Sequence, residues 1–328
     1  MKHEQAEIVI ESPASNNINR IQVNPFRDDL FIPVRTCETR YPVELIKKIL
    51  EVKGPAYLCD EIVREESPGY VQRSLHYDLL SYVDLKQFSG KRILDFGCGS
   101  GASTMILGRM FPDTKIVGIE LEESLLSIAR SRAHHYEMDS HIELLKSPNG
   151  NSLPPNIGRF DYIILSAVYE HLLPSERKKL LPVLWDRLKE GGILFLNQTP
   201  YRWFPVELHT TSGLPFINYL PDSLAHVYAQ RFSKRNLQGV DWSTLLRKGI
   251  RGASVGEIFK ILKENNASPV LLQPDKEGSR DRVDLWYVKY RNSKMAIVKV
   301  CYYLFKIIKM VTGLVLSHNL SLAIQKKG

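Results

Sequence analysis

From residue 92 onward, short apolar runs alternate with amphipathic stretches of ten or more residues. The runs are "RILDF", "KIVGIE", "HIELLK", "FDYIIL" and "ILFLNQ". Between them lie "GASTMILGRMF", closed by Pro112, then "EESLLSIARSRAHHY" and "SERKKLLPVLWDRLKEGG". Runs this short and this apolar are the strands of a sheet covered on both faces. Intervening helices make neighbouring strands parallel. The pattern predicts an α/β protein with a Rossmann-like, doubly wound sheet of seven strands.

The first run enters "ILDFGCGSG", with glycines at 97, 99 and 101 and an acid at 95. Missing side chains there permit positive φ and let a ligand touch the main chain. With Ala102 the string also satisfies the nicotinamide or flavin fingerprint. The flanking residues separate the readings. Asp95, at the end of the first strand, repels a pyrophosphate and suits the amino group of a methionine moiety. Glu120, at the end of the second strand, can accept both ribose hydroxyls under either reading.

Five motifs then follow in order: "ILDFGCGSG", "VGIELEE", "NGNSLP", "FDYIILSAVYEHL" and "LKEGGILFL". Over roughly residues 90–200 this series resembles the class I methyltransferases that use S-adenosyl-L-methionine (SAM). Within them it is similar to the ubiquinone- and menaquinone-type branch. The resemblance implies that Asp95, Gly97, Cys98, Gly99 and Gly101 hold the methionine end of SAM. It implies that Glu120 binds the ribose and Leu121 packs on the adenine. Asn149 stands where the branch usually has an Asp that meets the adenine amino group, and its carbonyl can accept the same bond. Gly150 offers a backbone N–H to the ring.

Methyl transfer is an in-line displacement from a good leaving group, so alignment and exclusion of water dominate. Candidate acceptor-side residues are Ser166, Tyr169, Glu170 and His171, which follow the strand "FDYIIL". Ser166 also lies on the rim of the cofactor crevice. His171 is a candidate general base, with Glu170 orienting it. The alternative is that Glu170 and His171 brace the strand-to-helix corner. His209, in the loop after the fifth strand, is a third catalytic candidate. Glu207, His209 and His171 form no tight metal-ligand pattern, and no metal is expected.

These signals divide the chain. Residues 1–40 read as an extended or poorly ordered arm, and 41–90 as helices leading into the fold. Residues 91–200 are the SAM-binding core. Residues 201–252 carry many prolines and aromatics with no clear period, which marks a lid or acceptor region. Trp203, Phe204, Phe216 and Tyr219 are candidates for its pocket wall. Residues 253–328 complete the sheet, with "PVLLQ" and "HNLSLAIQKK" as the last strands.

The net charge of +8 is unevenly spread. Eight Lys/Arg and no acids lie from Leu285 onward, leaving 36 basic and 36 acidic residues in the remainder. A nucleic-acid-binding body would show a basic stripe, so no nucleic-acid partner is expected. Lys294, Lys299, Lys306 and Lys309 fall within about 140° on a helical wheel whose other positions are almost wholly apolar. That helix either packs on the sheet or lies in a membrane surface through residues 294–316. Both readings hold together if the lysine side stays exposed. No uncharged run reaches the ~20 residues of a membrane span. The N-terminus has no secretory h-region. The four cysteines are scattered and suggest neither zinc nor disulfides, which fits a reducing, cytoplasmic setting.

The expected function is SAM-dependent methylation, most simply O-methylation of a small molecule, sugar or glycolipid-type, lipid-linked acceptor. The alternatives are a SAM-binding module without turnover, such as an assembly factor, and a nicotinamide-dependent oxidoreductase. The sequence is silent on oligomeric state.

Overall fold

The computed structural model describes residues 3–12, 17–27, 30–150, 152–208, 211–291 and 296–327. The sheet expected from residue 92 is present. Its strands are β4 (Arg92–Phe96), β5 (Lys115–Glu120), β6 (Ile142–Lys146), β7 (Phe160–Ser166), β8 (Leu188–Pro200), β9 (Pro269–Leu271) and β10 (Asn319–Lys326). Their order is β6-β5-β4-β7-β8-β10-β9. The chain crosses over at β4 and returns through β7, which opens a crevice at the carboxyl ends of those strands. β10 runs antiparallel to both β8 and β9.

Alternate residues of each strand serve opposite faces. Ile93, Ile193 and Phe195 join a core beneath α3 (Arg73–Leu80), α4 (Ala102–Met110) and α10 (Arg282–Tyr290). Leu94, Leu194 and Leu196 join a second core beneath α6 (Pro174–Asp186) and α9 (Val255–Glu264). Both cores are dry, which is why these strands carry no polar alternation. α5 (Glu123–His135) links β5 to β6 and supplies Ala133 to the first core.

The arm, read from its residues as extended or poorly ordered, forms extended strands over its described part. β1 (Ala6–Glu11), β2 (Asn19–Pro25) and β3 (Thr36–Thr39) form an antiparallel sheet. Register pairs Ile8 with Val23 and Ile10 with Ile21. Ala6, Ile8, Ile21 and Val23 pack on α1 (Val43–Lys53), α2 (Leu58–Glu66) and Ile128 of α5. The period-2 pattern "AEIVIE" and "NRIQVNP" was there to read; it is short and set among polar residues.

One guanidinium joins this N-terminal layer to the sheet. Arg132 of α5 has no solvent exposure. It donates to the Glu61 carboxylate (3.0 Å), the Glu61 carbonyl (2.9 Å) and the Ser100 carbonyl (2.9 Å). Its plane also lies 5.6 Å from the Tyr41 ring centroid. Burial would push Glu61 up, but Arg132 and Lys53 hold it below the ordinary carboxylate range.

The region after β8 is helical in part, where the sequence shows no clear period. α7 (Asp222–Phe232) and α8 (Trp242–Arg247) pack Ala225, Ala229 and Leu245 around Leu214, Ile217 and Ile250. These form a small core of their own. Phe204, expected in a pocket wall, instead lies against Phe305. Trp203, Phe216 and Tyr219 cluster at the surface.

α11 (Ala296–Thr312) packs on α10, not on the sheet. Its orientation is the reverse of that expected. Lys306 and Lys309 turn inward to Asp281 (2.8 and 2.6 Å). Ile297, Val300, Leu304, Ile307, Met310 and Val311 face solvent. Burial alone would raise the Asp281 carboxyl, yet the two lysines pull it down to about 2. Lys294 lies outside the described residues.

Breaking one partner of a buried ion pair strands the other charge. Arg132→Met is therefore expected to lose about 3–5 kcal/mol in urea unfolding. Arg132→Lys is expected to recover less than half of that, because an ammonium cannot reach Glu61 and Ser100 as a fork. Full stability in Arg132→Met would remove this residue from the account of how the layers join.

Candidate active site

The carboxyl end of β4 turns sharply at Gly97. Its φ is +73°, and a Cβ there would lie 2.7 Å from the Val168 side chain. Gly101 opens α4 with φ +86°, and a Cβ there would meet Ala129 of α5 at 2.8 Å. These two glycines are fixed by protein neighbours. Gly99 between them is different: a Cβ there would meet nothing within 4 Å. Its main chain faces an open cleft.

That cleft measures about 170 Å³. The glycine turn forms one side, and Ser166, Ala167 and Gln198 form the floor. Gln198 Nε2 donates to Ser166 Oγ (2.9 Å). Ala167 and Gln198 both hold left-handed backbone, with φ +55° and +59°. Strain of this kind in non-glycine residues concentrates at working sites. Lys53, Glu61, Arg64 and Val71 from the N-terminal layer cover the cleft.

Glu120 closes the far side of the turn. Its carboxylate accepts from the backbone N–H of Gly99 (2.9 Å), Leu121 (2.6 Å) and Glu122 (3.1 Å). Each carboxylate oxygen has two lone pairs, so capacity for ribose hydroxyls remains. Ser147 N donates to the Glu120 carbonyl (2.7 Å), and Ser147 Oγ to the Asn149 carbonyl (2.7 Å). These bonds bring the turn holding Asn149 and Gly150 beside Glu120. Leu121 is exposed at the same edge.

Asp95 is buried below the turn. Ser103 and Thr104 of α4 both donate to its Oδ2, at 2.8 and 2.7 Å. Burial raises its pKa, and these two bonds oppose the rise. The Cys98 thiol is also buried, with its pKa raised by burial.

His209 lies outside the described residues. Neither Glu170 nor His171 lines the cleft. Glu170 is buried and accepts from Thr199 Oγ1 (2.8 Å); burial raises its pKa. His171 Nδ1 donates to the Arg247 carbonyl (2.7 Å), and its Nε2 lies 3.9 Å from Glu170. Arg247 also pairs with Glu176 at the start of α6. These contacts brace the corner after β7 against α8. Glu207 is a turn anchor, accepting from Ser212 N (2.6 Å), Ser212 Oγ (2.7 Å) and Gly213 N (2.9 Å). Among the described residues, no group of three His, Cys, Asp or Glu is placed to hold a metal.

No local pattern marks Lys53, Arg64, Val71 or Gln198 as cleft residues. The first three reach the cleft only through the docking of the N-terminal layer. Gln198 sits in a strand end that reads as ordinary sheet.

A fold with this strand order and this turn is what the class I methyltransferases share. A methyltransferase-domain family model matches residues 93–192. Residues 93–192 therefore carry a methyltransferase domain similar to that of the class I, SAM-dependent methyltransferases. SAM is the cofactor of this family, and the residues around the cleft suit it. The open main chain at Gly99 leaves room for such a group, and the Glu120 carboxylate keeps lone pairs free for hydroxyls. Among curated methyltransferase relatives, the chain is 31% identical over 155 residues to the mitochondrial ubiquinone biosynthesis O-methyltransferase of Saccharomyces cerevisiae, covering 46% of this chain and 44% of that one. It is 26% identical over 150 residues to the carboxy-S-adenosyl-L-methionine synthase of Mannheimia succiniciproducens, covering 43% and 61%. The match thus spans about three-fifths or less of either relative. A solved structure, the pyocyanin biosynthetic protein PhzM, aligns over 71% of this chain and 58% of its own with 14% identity and a TM-score of 0.43.

The close approach at Gly97 yields a direct test. Gly97→Ala is expected to cost about 2–4 kcal/mol, combining positive-φ strain with overpacking. Adding Val168→Ala should return the steric share only. Urea unfolding of the single and double variants checks this, and equal stability of Gly97→Ala and the parent would refute it.

Proposed function

We propose that the protein transfers a methyl group from SAM to a hydroxyl of a small or lipid-linked acceptor at the cleft between the glycine turn and Gln198. The observation that carries this reading is the open main chain at Gly99, facing Ser166 and Gln198 across one cleft. When bound, SAM would supply an electrophilic methyl to the acceptor oxygen, with S-adenosyl-L-homocysteine as the leaving group and the hydroxyl proton passing to water. The protein's part is placement. Lys53 and Arg64 face the side where the methionine carboxylate belongs. Glu120 takes the ribose, while Leu121, Asn149 and Gly150 border the adenine. Asp95 acts through α4, holding the Ser103–Thr104 end of the helix against the turn. Ser166 accepts from Gln198 and so keeps its own O–H for an incoming acceptor. His171 and Glu170 are positioning residues in this reading, since they hold α8 in place and lie off the cleft.

Calorimetric titration with SAM tests the cofactor half, with NADH as control. Wild-type protein is expected to bind SAM and not NADH. Glu120→Gln keeps an acceptor for the backbone but loses charge, and is expected to weaken SAM by about tenfold, in keeping with the added strength of a charge-assisted bond. NADH binding in place of SAM would favour the oxidoreductase. SAM binding with no methyl transfer to any hydroxylated acceptor would favour a binding module without turnover.

The lipid-linked part of the reading rests on α11. Its outward face carries six large aliphatic side chains, and its inward lysines are paired with Asp281 and Asp284. A patch of this kind marks an interaction surface. Among the described residues no helix is long and apolar enough to cross a membrane. We assign the face to a lipid surface. Because Lys306 and Lys309 are paired inward and only Lys299 of this helix stays exposed, binding to phosphatidylcholine vesicles should persist in 0.5 M salt, a level at which screening acts over only a few ångströms (~4 Å). Co-sedimentation is expected to fall at least fivefold in Ile307→Glu/Met310→Glu. A parent protein that stays in the supernatant and dimerises instead would transfer this face to a second copy of the chain.

A further inference from the structure

A second cavity, of about 180 Å³, lies beyond β8 between α10, the residues that follow α11 and the start of β10. Its lining includes Tyr201, Arg282, Trp286, Tyr290, Leu314 and Asn319. Arg282 is the feature that needs a reason. Its Nε is buried without a hydrogen-bond partner, and no described residue forms an ion pair with it. The nearest acid, Asp281, is already committed to Lys306, Lys309 and the backbone N–H groups of Val283 and Asp284.

No other group in the cavity offers the missing negative charge. Lys289 is itself a cation, held by Asp78 (2.7 Å) and Ser321 (3.1 Å). His318 accepts from Trp286 Nε1 (2.9 Å) and is neutral at ordinary pH, since burial and Lys289 bring it down to about 4. A lysine in this position would shed its proton. A guanidinium does not. Burial lowers the Arg282 pKa, but the group stays charged. A half-buried cation whose Nε is fully covered and which no carboxylate pairs is costly to keep, so its retention calls for an anionic partner from outside the chain.

We propose that this cavity binds the oxyanion of an organic acid, with Arg282 as its counter-ion. The walls favour an apolar or aromatic body next to that oxyanion, because Tyr201, Trp286, Tyr290 and Leu314 surround it. Tyr201 follows Gln198 of the cofactor cleft by three residues, on the same edge of the sheet. The cavity is therefore the anchor for the acceptor's anionic group, an assignment that rests on the methyltransferase reading. It narrows the acceptor to an acid: a carboxylate or a phosphate ester carrying the hydroxyl to be methylated.

The test is calorimetric titration of the full chain with benzoate, phenyl phosphate and neutral benzamide, each with SAM titrated on the same preparation. Saturable binding of benzoate or phenyl phosphate, without benzamide, is expected. Whichever of the two binds more tightly names the headgroup. Arg282→Met is expected to lose at least tenfold in that affinity and to melt no lower than the parent when unliganded, because it removes a half-buried unpaired charge. If Arg282→Met does not fold, Arg282→Gln carries the comparison. Absence of saturable binding to either anion, or unchanged affinity in the Arg282 variant, overturns the proposal. Anion binding through Arg282 by a protein that does not take up SAM would leave this site standing and remove the methyltransferase reading instead.

Discussion

The fork of Arg132 is the interaction on which the site most depends. It sits on a helix of the Rossmann-like core and reaches both the carbonyl of Ser100 and the main chain of α2. The three glycines of the turn have no side chains with which to brace it, and only Ser100 ties it by a hydroxyl, to Glu61 and Arg132. Its shape is set from outside, by Val168 against Gly97, by Ala129 against Gly101 and by Arg132 on the Ser100 carbonyl. A single desolvated guanidinium thus fixes a flexible loop and seats the layer that covers it. Such a group is worth most as a matter of specificity. A hydrophobic residue of equal volume packs as well, but it does not hold three main-chain segments in register.

Arg177 performs the matching task on the other face. It is buried under α6 and donates to the carbonyls of Leu172 (2.9 Å), Gly252 (3.0 Å) and Arg251 (3.1 Å), and to Glu257 of α9 (3.1 Å). The first carbonyl belongs to the corner after β7, and the next two to the end of the inserted region. The insertion is thereby tied at its exit, while His171 and Arg247 tie it at α8. Two buried arginines, one on each face, thus join the variable layers to a common sheet. The layers they join are those that border the cleft and the second cavity.

Much of the core was legible in the residues. Short continuous apolar runs flanked by helical stretches marked the strands, because a sheet buried on both faces leaves little choice of composition. The glycine turn was legible for the same reason: Gly97 and Gly101 answer to packing and Gly99 to an open cleft. What was not legible depended on long-range docking. β1 and β2 alternate correctly, but their apolar residues are few and gain meaning only against α1 and α2. The lysines of α11 looked like a solvated face. Lys306 and Lys309 turn inward because Asp281 and Asp284, at the start of α10, offer carboxylates that no local pattern announces. Glu170 and His171 have the chemistry of a base and its partner, but their bonds to Thr199 and the Arg247 carbonyl direct them away from the cleft. Arg282 gave no signal at all, since an unpaired arginine is recognised only when its surroundings are known.

The position of β10 has a consequence for how the chain is made. Residues 319–326 lie inside the sheet, between β8 and β9, not at its rim. Until they emerge from the ribosome, β8 presents an open edge of apolar strand and β9 has nothing to pair with. Exposed edges of this kind invite pairing with other chains. Every earlier element must then wait, folded or half-folded, for the last strand to slot in and close the sheet. Synthesis order and spatial order are at odds here, and a nascent chain stalled before residue 319 is a species in need of protection.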